Sequence, residues 1–126
     1  MLDTHAWIWW VSDPGKLSEP ARERIEAATD IGICAISCWE VAMLVSKQRI
    51  RFDRDVLTWI HQALRRPRVR LVPLTPVIAV AATQFTAGIP GDPADRMIVA
   101  SSLHLDADLV TRDRALHAFG KVRTVW

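Results

Sequence analysis

The chain has 126 residues, 50% hydrophobic and 24% charged, with 16 basic side chains against 14 acidic. That length is expected to form a single domain spanning 1–126 and to bury a core without disulfides or a structural metal. The ordinary composition excludes a mainly disordered chain, and a net charge of +2 by itself points to neither nucleic acid nor membrane.

Residues 1–3 read as a very short first strand ending on Asp3. The Ser18-Glu19-Pro20 start signal opens a helix expected over 18–28, followed by a buried strand over 31–36. Helices are then expected over 37–47 and 53–66, a buried strand over 69–74, and helices over 76–87 and 92–105. Strands over 108–111 and 122–126 complete the series. Strands separated by helices predict an α/β fold, a central parallel sheet flanked by α-helices.

The uncharged stretch 71–91 is broken by Pro73, Pro76 and Pro90, and its longest strictly apolar run is 77–82. That is far short of the roughly 20 residues of a spanning helix, so no membrane segment is expected. The first residues show no basic region followed by an apolar one, so no signal peptide is expected either. Cys34 and Cys38 lack a second Cys/His pair at zinc spacing and read as small buried residues in a reducing cytoplasm.

In open parallel sheets, functional groups collect beyond the carboxyl ends of the strands. Asp3, Glu40, Asp95 and Asp113 all fall at such places. Two like charges ~4 Å apart repel by ~4 kcal/mol at an effective dielectric near 20. A cluster of acids is therefore reasonable when a divalent cation neutralises it. Mg²⁺ or Mn²⁺ prefers carboxylate oxygens and leaves positions for a phosphate, and the chemistry implied is phosphodiester hydrolysis.

Each acid also has a structural alternative. Ser37-Cys38-Trp39-Glu40 fits a capping box, and Asp92-Pro93-Ala94-Asp95 fits an N-cap with an acid in the first turn. Asp113 could cap a helix beginning at Arg114, and Asp3 could cap one beginning at Thr4. Spacing leaves ligation and capping both open.

Four segments, in order, resemble the motifs of the PIN-domain ribonucleases, specifically the VapC-type toxins of toxin–antitoxin pairs. They are Leu2-Asp3-Thr4-His5-Ala6-Trp7-Ile8-Trp9-Trp10, Ile36-Ser37-Cys38-Trp39-Glu40-Val41-Ala42, Gly91-Asp92-Pro93-Ala94-Asp95-Arg96-Met97-Ile98-Val99-Ala100 and Leu109-Val110-Thr111-Arg112-Asp113. Together they span residues 2 to 113, and four in family order are far more specific than one. The resemblance implies a PIN-like domain and a metal-dependent endoribonuclease acting through a metal-activated water. The metal-binding and catalytic acids it implies are Asp3, Glu40, Asp95 and Asp113, with Asp92 either a further ligand or only a cap. Thr111 and Ser37 would support them. It further implies Mg²⁺ or Mn²⁺, an RNA substrate (single-stranded or structured, such as tRNA), a VapB-type antitoxin covering the pocket, and a homodimer.

Charge is laid out unevenly. Eight basic residues (Lys47, Arg49, Arg51, Arg54, Arg65, Arg66, Arg68, Arg70) meet two acids, Asp53 and Asp55, giving +6 between Lys47 and Arg70. Five acids meet Arg96 and Arg112 between Asp92 and Asp113, giving −3. This suits arginines that grip RNA beside carboxylates that hold metal, with Lys47, Arg49, Arg51, Arg96 and Arg112 the candidate RNA contacts. Some of these arginines would instead solvate a helix or pair with Asp53 and Asp55.

Six tryptophans are the other oddity. Trp7 and Trp10 would share a helix face, and a groove near Trp39 and Trp59 would suit an antitoxin peptide. His5 is close enough to Asp3 to enter the pocket, although a packing or surface role fits it better. The alternatives are a PIN-fold RNA-processing nuclease without a toxin role, a non-catalytic RNA-binding module, and a phosphoacceptor signalling domain. The last lacks an acid after the 69–74 strand and a lysine beyond a late one.

Overall fold

A computed structural model describes residues 1–85, 88, 89 and 91–126. Helix α1 (Thr4–Ser12) is followed by a 3₁₀ turn (Pro14–Lys16) and α2 (Glu19–Glu26). Then come β1 (Ile31–Cys34), α3 (Ala35–Ser46), α4 (Val56–Leu64), β2 (Val69–Val72) and α5 (Pro76–Thr83). The chain continues through α6 (Pro93–His104), β3 (Leu109–Val110), α7 (Arg114–Phe119) and β4 (Thr124–Val125). The expected helix over 76–87 ends earlier, at Thr83; its last two positions, like Pro90, lie outside the described residues.

β1 pairs in parallel with β2, and β3 with β4. Leu2 joins the halves by parallel bridges to Ile33 and Val110. Three backbone bonds stitch it in, from Leu2 N–H to the Gly32 carbonyl (3.0 Å), Asp3 N–H to Val110 (3.0 Å) and Val110 N–H to Met1 (2.9 Å). The spatial order is therefore β2, β1, the Leu2 segment, β3, β4. The chain winds outward from the centre on one side, then returns to wind outward on the other. That reversal makes the carboxyl end of the Leu2 segment a topological switch point, where open α/β sheets place their ligands.

The sheet is narrower in strand length than the sequence predicts. β2 is an edge strand with Arg70 and Leu71 exposed, so its expected burial over 69–74 fails: only one neighbour, β1, covers it. β1, by contrast, is buried at all four positions because a strand flanks it on each side and helices cover it.

Two apolar clusters hold the layers together. One gathers around Trp7 from α1, with Ile25, Ile33, Val41 and Trp59. Trp7 meets Trp59 at 5.2 Å between ring centroids, and Trp59 stacks on Phe52 at 4.2 Å. The second gathers around Ile98 and Val99 of α6, with Val72, Ile78 and Leu116. Arg96 serves this second layer: its guanidinium donates to the carbonyls of Ala82 (2.9 Å), in the last turn of α5, and Phe85 (2.7 Å), just beyond it. Arg96, expected among the RNA contacts, is thus engaged with carbonyls at the helix end.

Trp7 is fully buried and bridges α1 to α4. Trp7→Ala is expected to cost about 3–5 kcal/mol of stability through lost burial and a residual cavity, read as a lowered urea midpoint.

Candidate active site

The acids reach one place because three helices start there. Asp3, at the end of the Leu2 segment, is the N-cap of α1, and its Oδ1 accepts from Ala6 N–H at 2.6 Å. Asp113, after β3, is the N-cap of α7 and accepts from Ala115 N–H at 2.6 Å and Leu116 N–H at 3.4 Å. Asp92 is the N-cap of α6, accepting from Ala94 N–H at 2.8 Å, and leaves Asp95 in the first turn behind it. The capping alternatives thus hold for Asp3, Asp92 and Asp113. They do not remove these acids from the pocket, because a cap engages one carboxylate oxygen and leaves the other.

For Glu40 the capping box fails. α3 begins at Ala35 with Cys34 as its N-cap, so Ser37 and Glu40 lie inside the helix. β1 runs into α3 without a loop, which leaves Ser37 no cap position. Glu40 instead accepts a hydrogen bond from the Thr4 hydroxyl at the start of α1. Ser37 is fully buried, its Oγ has no partner among the described residues, and it does not line the pocket.

Asp3, Glu40, Asp92, Asp95 and Asp113 line one cavity of about 1040 Å³, together with Thr4, His5, Trp9, Arg112, Arg114, His117 and Trp126. Thr111 lies fully buried beneath it, and its Oγ1 accepts from Asp113 N–H at 3.0 Å. His117 braces the same loop: one ring nitrogen lies 2.8 Å from the Thr111 carbonyl oxygen and the other 2.8 Å from the Thr124 hydroxyl.

Burial is the main force on the acids' protonation. It pushes the Asp3 carboxyl above its ordinary value, against hydrogen bonds from Thr111 and Ala6 that favour the charged form. It likewise raises Glu40, opposed by the Thr4 hydroxyl. Asp95 is pushed up to about 7, by burial first and then by Asp92, Glu40, Asp113 and Asp3. None of the five acids joins a salt bridge among the described residues.

Such a set of acids fits a hard divalent cation: all the donors are oxygens, and none has a salt-bridge partner among the described residues. Among the described residues, no three of the His, Cys, Asp and Glu side chains close into a ready-made cage. Caps hold Asp3, Asp92 and Asp113 to backbone N–H groups at the starts of their helices.

The other expected contacts divide. Arg112 lines the cavity, whereas Lys47 and Arg49 do not. Arg51 lines a second hollow with Arg54 and Arg66. There Arg54 pairs with Asp53 at 2.7 Å and Arg66 bonds the Val11 carbonyl, so part of the +6 stretch is structural. Trp59 is largely buried and lines that second hollow, while Trp39 is 59% exposed on α3 and does not, so the two do not share one groove among the described residues. His5 lines the pocket as an exposed side chain whose ring rests against Trp9. Sequence reasoning missed Thr4, Trp9, Arg114, His117 and Trp126. Trp9 was findable, since it lies four residues after His5 on the helix that Asp3 caps, whereas Trp126 arrives by a long-range contact.

Residues 1–122 match the family model described as PIN domain. The chain is 39% identical over 128 aligned positions to Ribonuclease VapC22 of Mycobacterium tuberculosis, covering 100% of this chain and 97% of that protein. Among solved structures it is similar to VapBC2 from Rickettsia felis bound to a DNA fragment from their promoter (TM-score 0.72, 15% identity, 98% of this chain and 95% of that chain). It is also similar to VapBC-1 from nontypeable Haemophilus influenzae (TM-score 0.71, 16% identity, 98% of this chain and 94% of that chain). At those identities the two structures bear on the fold alone, which they share. No helix among the described residues is long and apolar enough to cross a membrane.

The raised Asp95 carboxyl makes stability depend on pH. Between its ordinary value of 3.8 and about 7, the folded state holds a proton that the unfolded state has released. Metal-free protein is therefore expected to lose stability as pH rises through that interval. The loss is on the order of 1 kcal/mol once solvent screening of this half-exposed group is allowed for. Thermal unfolding midpoints measured across that range should fall with pH in the wild type and fall less in Asp95→Asn.

Proposed function

The chain belongs to the PIN-domain family, and from that premise we propose that it is a VapC-type toxin: an endoribonuclease that hydrolyses RNA phosphodiester bonds at the acidic cavity. The single observation that carries the reading is the convergence of Asp3, Glu40, Asp95 and Asp113 on one cavity, with no salt bridge to any of them among the described residues. The 39% identity to Ribonuclease VapC22 over the whole chain supports the same activity.

We assign the divalent-ion ligands to Asp3, Glu40, Asp95 and Asp113, with Mg²⁺ or Mn²⁺ as the ion and Asp92 principally a cap. When bound, that ion supplies charge neutralisation and Lewis acidity toward a phosphoryl oxygen and water. The chain's own residues supply the rest. The Thr111 hydroxyl and the Ala6 N–H hold Asp3 in one orientation. Thr4 holds Glu40 across the cavity. Arg112 and Arg114, on the cavity wall, offer cationic contacts to substrate phosphates. His117 keeps the Thr111–Asp113 loop in place through its two ring nitrogens, a bracing role with no part in nucleophilic attack.

The partners follow from the same reading: RNA as substrate, a VapB-type antitoxin as inhibitor, and a second copy of the chain. A dimer is supported by Val77 and Val80, which are three apart on α5 and both mostly exposed. One PIN domain over 1–126 in the cytoplasm, where Cys34 and Cys38 stay reduced, completes the proposal. A PIN-fold RNA-processing enzyme without toxicity is separated from it by growth after induced expression, with and without the antitoxin.

Purified protein is expected to cleave RNA in Mg²⁺ and to stop when EDTA is added. Asp3→Asn and Asp95→Asn should each lower the rate by about 10²-fold or more while circular dichroism shows an unchanged fold. Full cleavage by both variants would overturn the assignment. Native mass spectrometry should show a dimer at micromolar concentration that Val80→Asp converts to monomer; a wild-type monomer there would count against the dimer.

A further inference from the structure

The wall of the acidic cavity is aromatic on one side. Trp9 lies one helical turn after His5 on α1, with ring centroids 5.7 Å apart and planes tilted by 47°. Trp126, just beyond β4, also meets Trp9, at 5.5 Å and 56°. The Arg112 guanidinium carbon lies 5.9 Å from the Trp9 ring centroid. All four residues line the cavity that holds the carboxylates.

These indoles differ from the others. Trp7 and Trp59 are core residues, Trp59 with an edge on the second hollow; Trp10 is half-buried beneath Arg66 and Trp39 is exposed on α3, and neither lines the acidic cavity. Trp9 and Trp126 are half-buried, so parts of two large apolar rings remain wet inside a pocket otherwise lined by charge. A flat π-faced ligand carrying negative charge nearby would cover the rings and meet Arg112 at the same time. A nucleotide has both parts. The six residue steps from Asp3 to Trp9 rise about 9 Å along the helix, the scale of a nucleotide, so a base on the indoles leaves its neighbouring phosphate beside the acids.

We propose that Trp9 and Trp126, flanked by His5 and Arg112, form a stacking subsite for one unpaired nucleobase adjacent to the scissile phosphate. Stacking of this kind works with any base because every base has a π-face, and it requires the base to be out of a duplex. The subsite therefore selects unpaired RNA and fixes the register of the strand over the carboxylates. It rests on the ribonuclease reading.

The test measures kcat/KM on a short unpaired oligoribonucleotide with a mapped cleavage position, replacing each base near that bond in turn by an abasic residue. In the wild type, one replacement should lower kcat/KM about tenfold, mostly through KM. Trp126→Ala should cause a similar loss with the intact oligonucleotide and no further loss with that abasic one, while Trp126→Phe retains most of the activity. Circular dichroism guards against a folding defect, and Trp9→Phe provides a second, conservative probe of the same wall. Losses that multiply between protein and RNA, no sensitive abasic position, or a Trp126→Ala defect confined to antitoxin binding would each overturn the subsite while leaving the ribonuclease intact. A wild-type protein that cleaves no RNA would overturn both.

Discussion

The two halves of the sheet meet at a single residue. Leu2 bridges Ile33 on one side and Val110 on the other, and the backbone bonds of Met1, Leu2 and Asp3 are the stitches between them. A strand this short has little ladder of its own. Its position is held by side chains: Leu2 is almost fully buried, and the helix that follows drives Trp7 into the core. Because Asp3 is the next residue along, the element that closes the sheet also sets the first carboxylate of the pocket. Backbone order and site geometry are here one constraint.

From that anchor the other acids follow by topology. β1 leads into α3 and Glu40, β3 leads into α7 and Asp113, and α6 begins with Asp92 and Asp95 beside them. The arrangement works against the stability of the empty protein. Burial and mutual repulsion raise the Asp95 carboxyl to about 7 and hold Asp3 and Glu40 above their ordinary values. A sheet built around a switch point can hold such a group because the rest of the core, assembled around Trp7 and around Ile98, does not depend on it. Frustration is confined to the place where a cation and a substrate phosphate would relieve it.

Much of this was legible in the residues. The strand order and the five helices from α2 to α6 follow from periodicity and start signals. α1 and α7 were legible only through the caps at Asp3 and Asp113, and three of the capping patterns occur as read. What escaped were features decided by tertiary contact. Ser37 has the chemistry of an N-cap, yet β1 passes into α3 with no loop, so the helix starts two residues earlier and Glu40 turns to Thr4. Arg96 carries a charge that suits RNA, but carbonyls at the C-terminal end of α5 engage it. Val69–Val72 has a buried strand's composition and an edge strand's place. Trp126 is 117 positions from Trp9 in the chain and beside it in space, which no local pattern could reveal.

The caps also explain which acid stands where. An N-cap carboxylate must turn back within a single short side chain to meet an N–H two or three residues ahead, and aspartate does this where glutamate overshoots. Asp3, Asp92 and Asp113 all occupy such positions. Glu40 instead rises from the flank of a helix and has to cross to Thr4, so it needs the extra methylene. Side-chain length acts as the ruler of this pocket. Aspartate and glutamate, equal in charge, are not exchangeable here, and a chain that swapped them would keep its formal charge while losing the geometry that makes the charge useful.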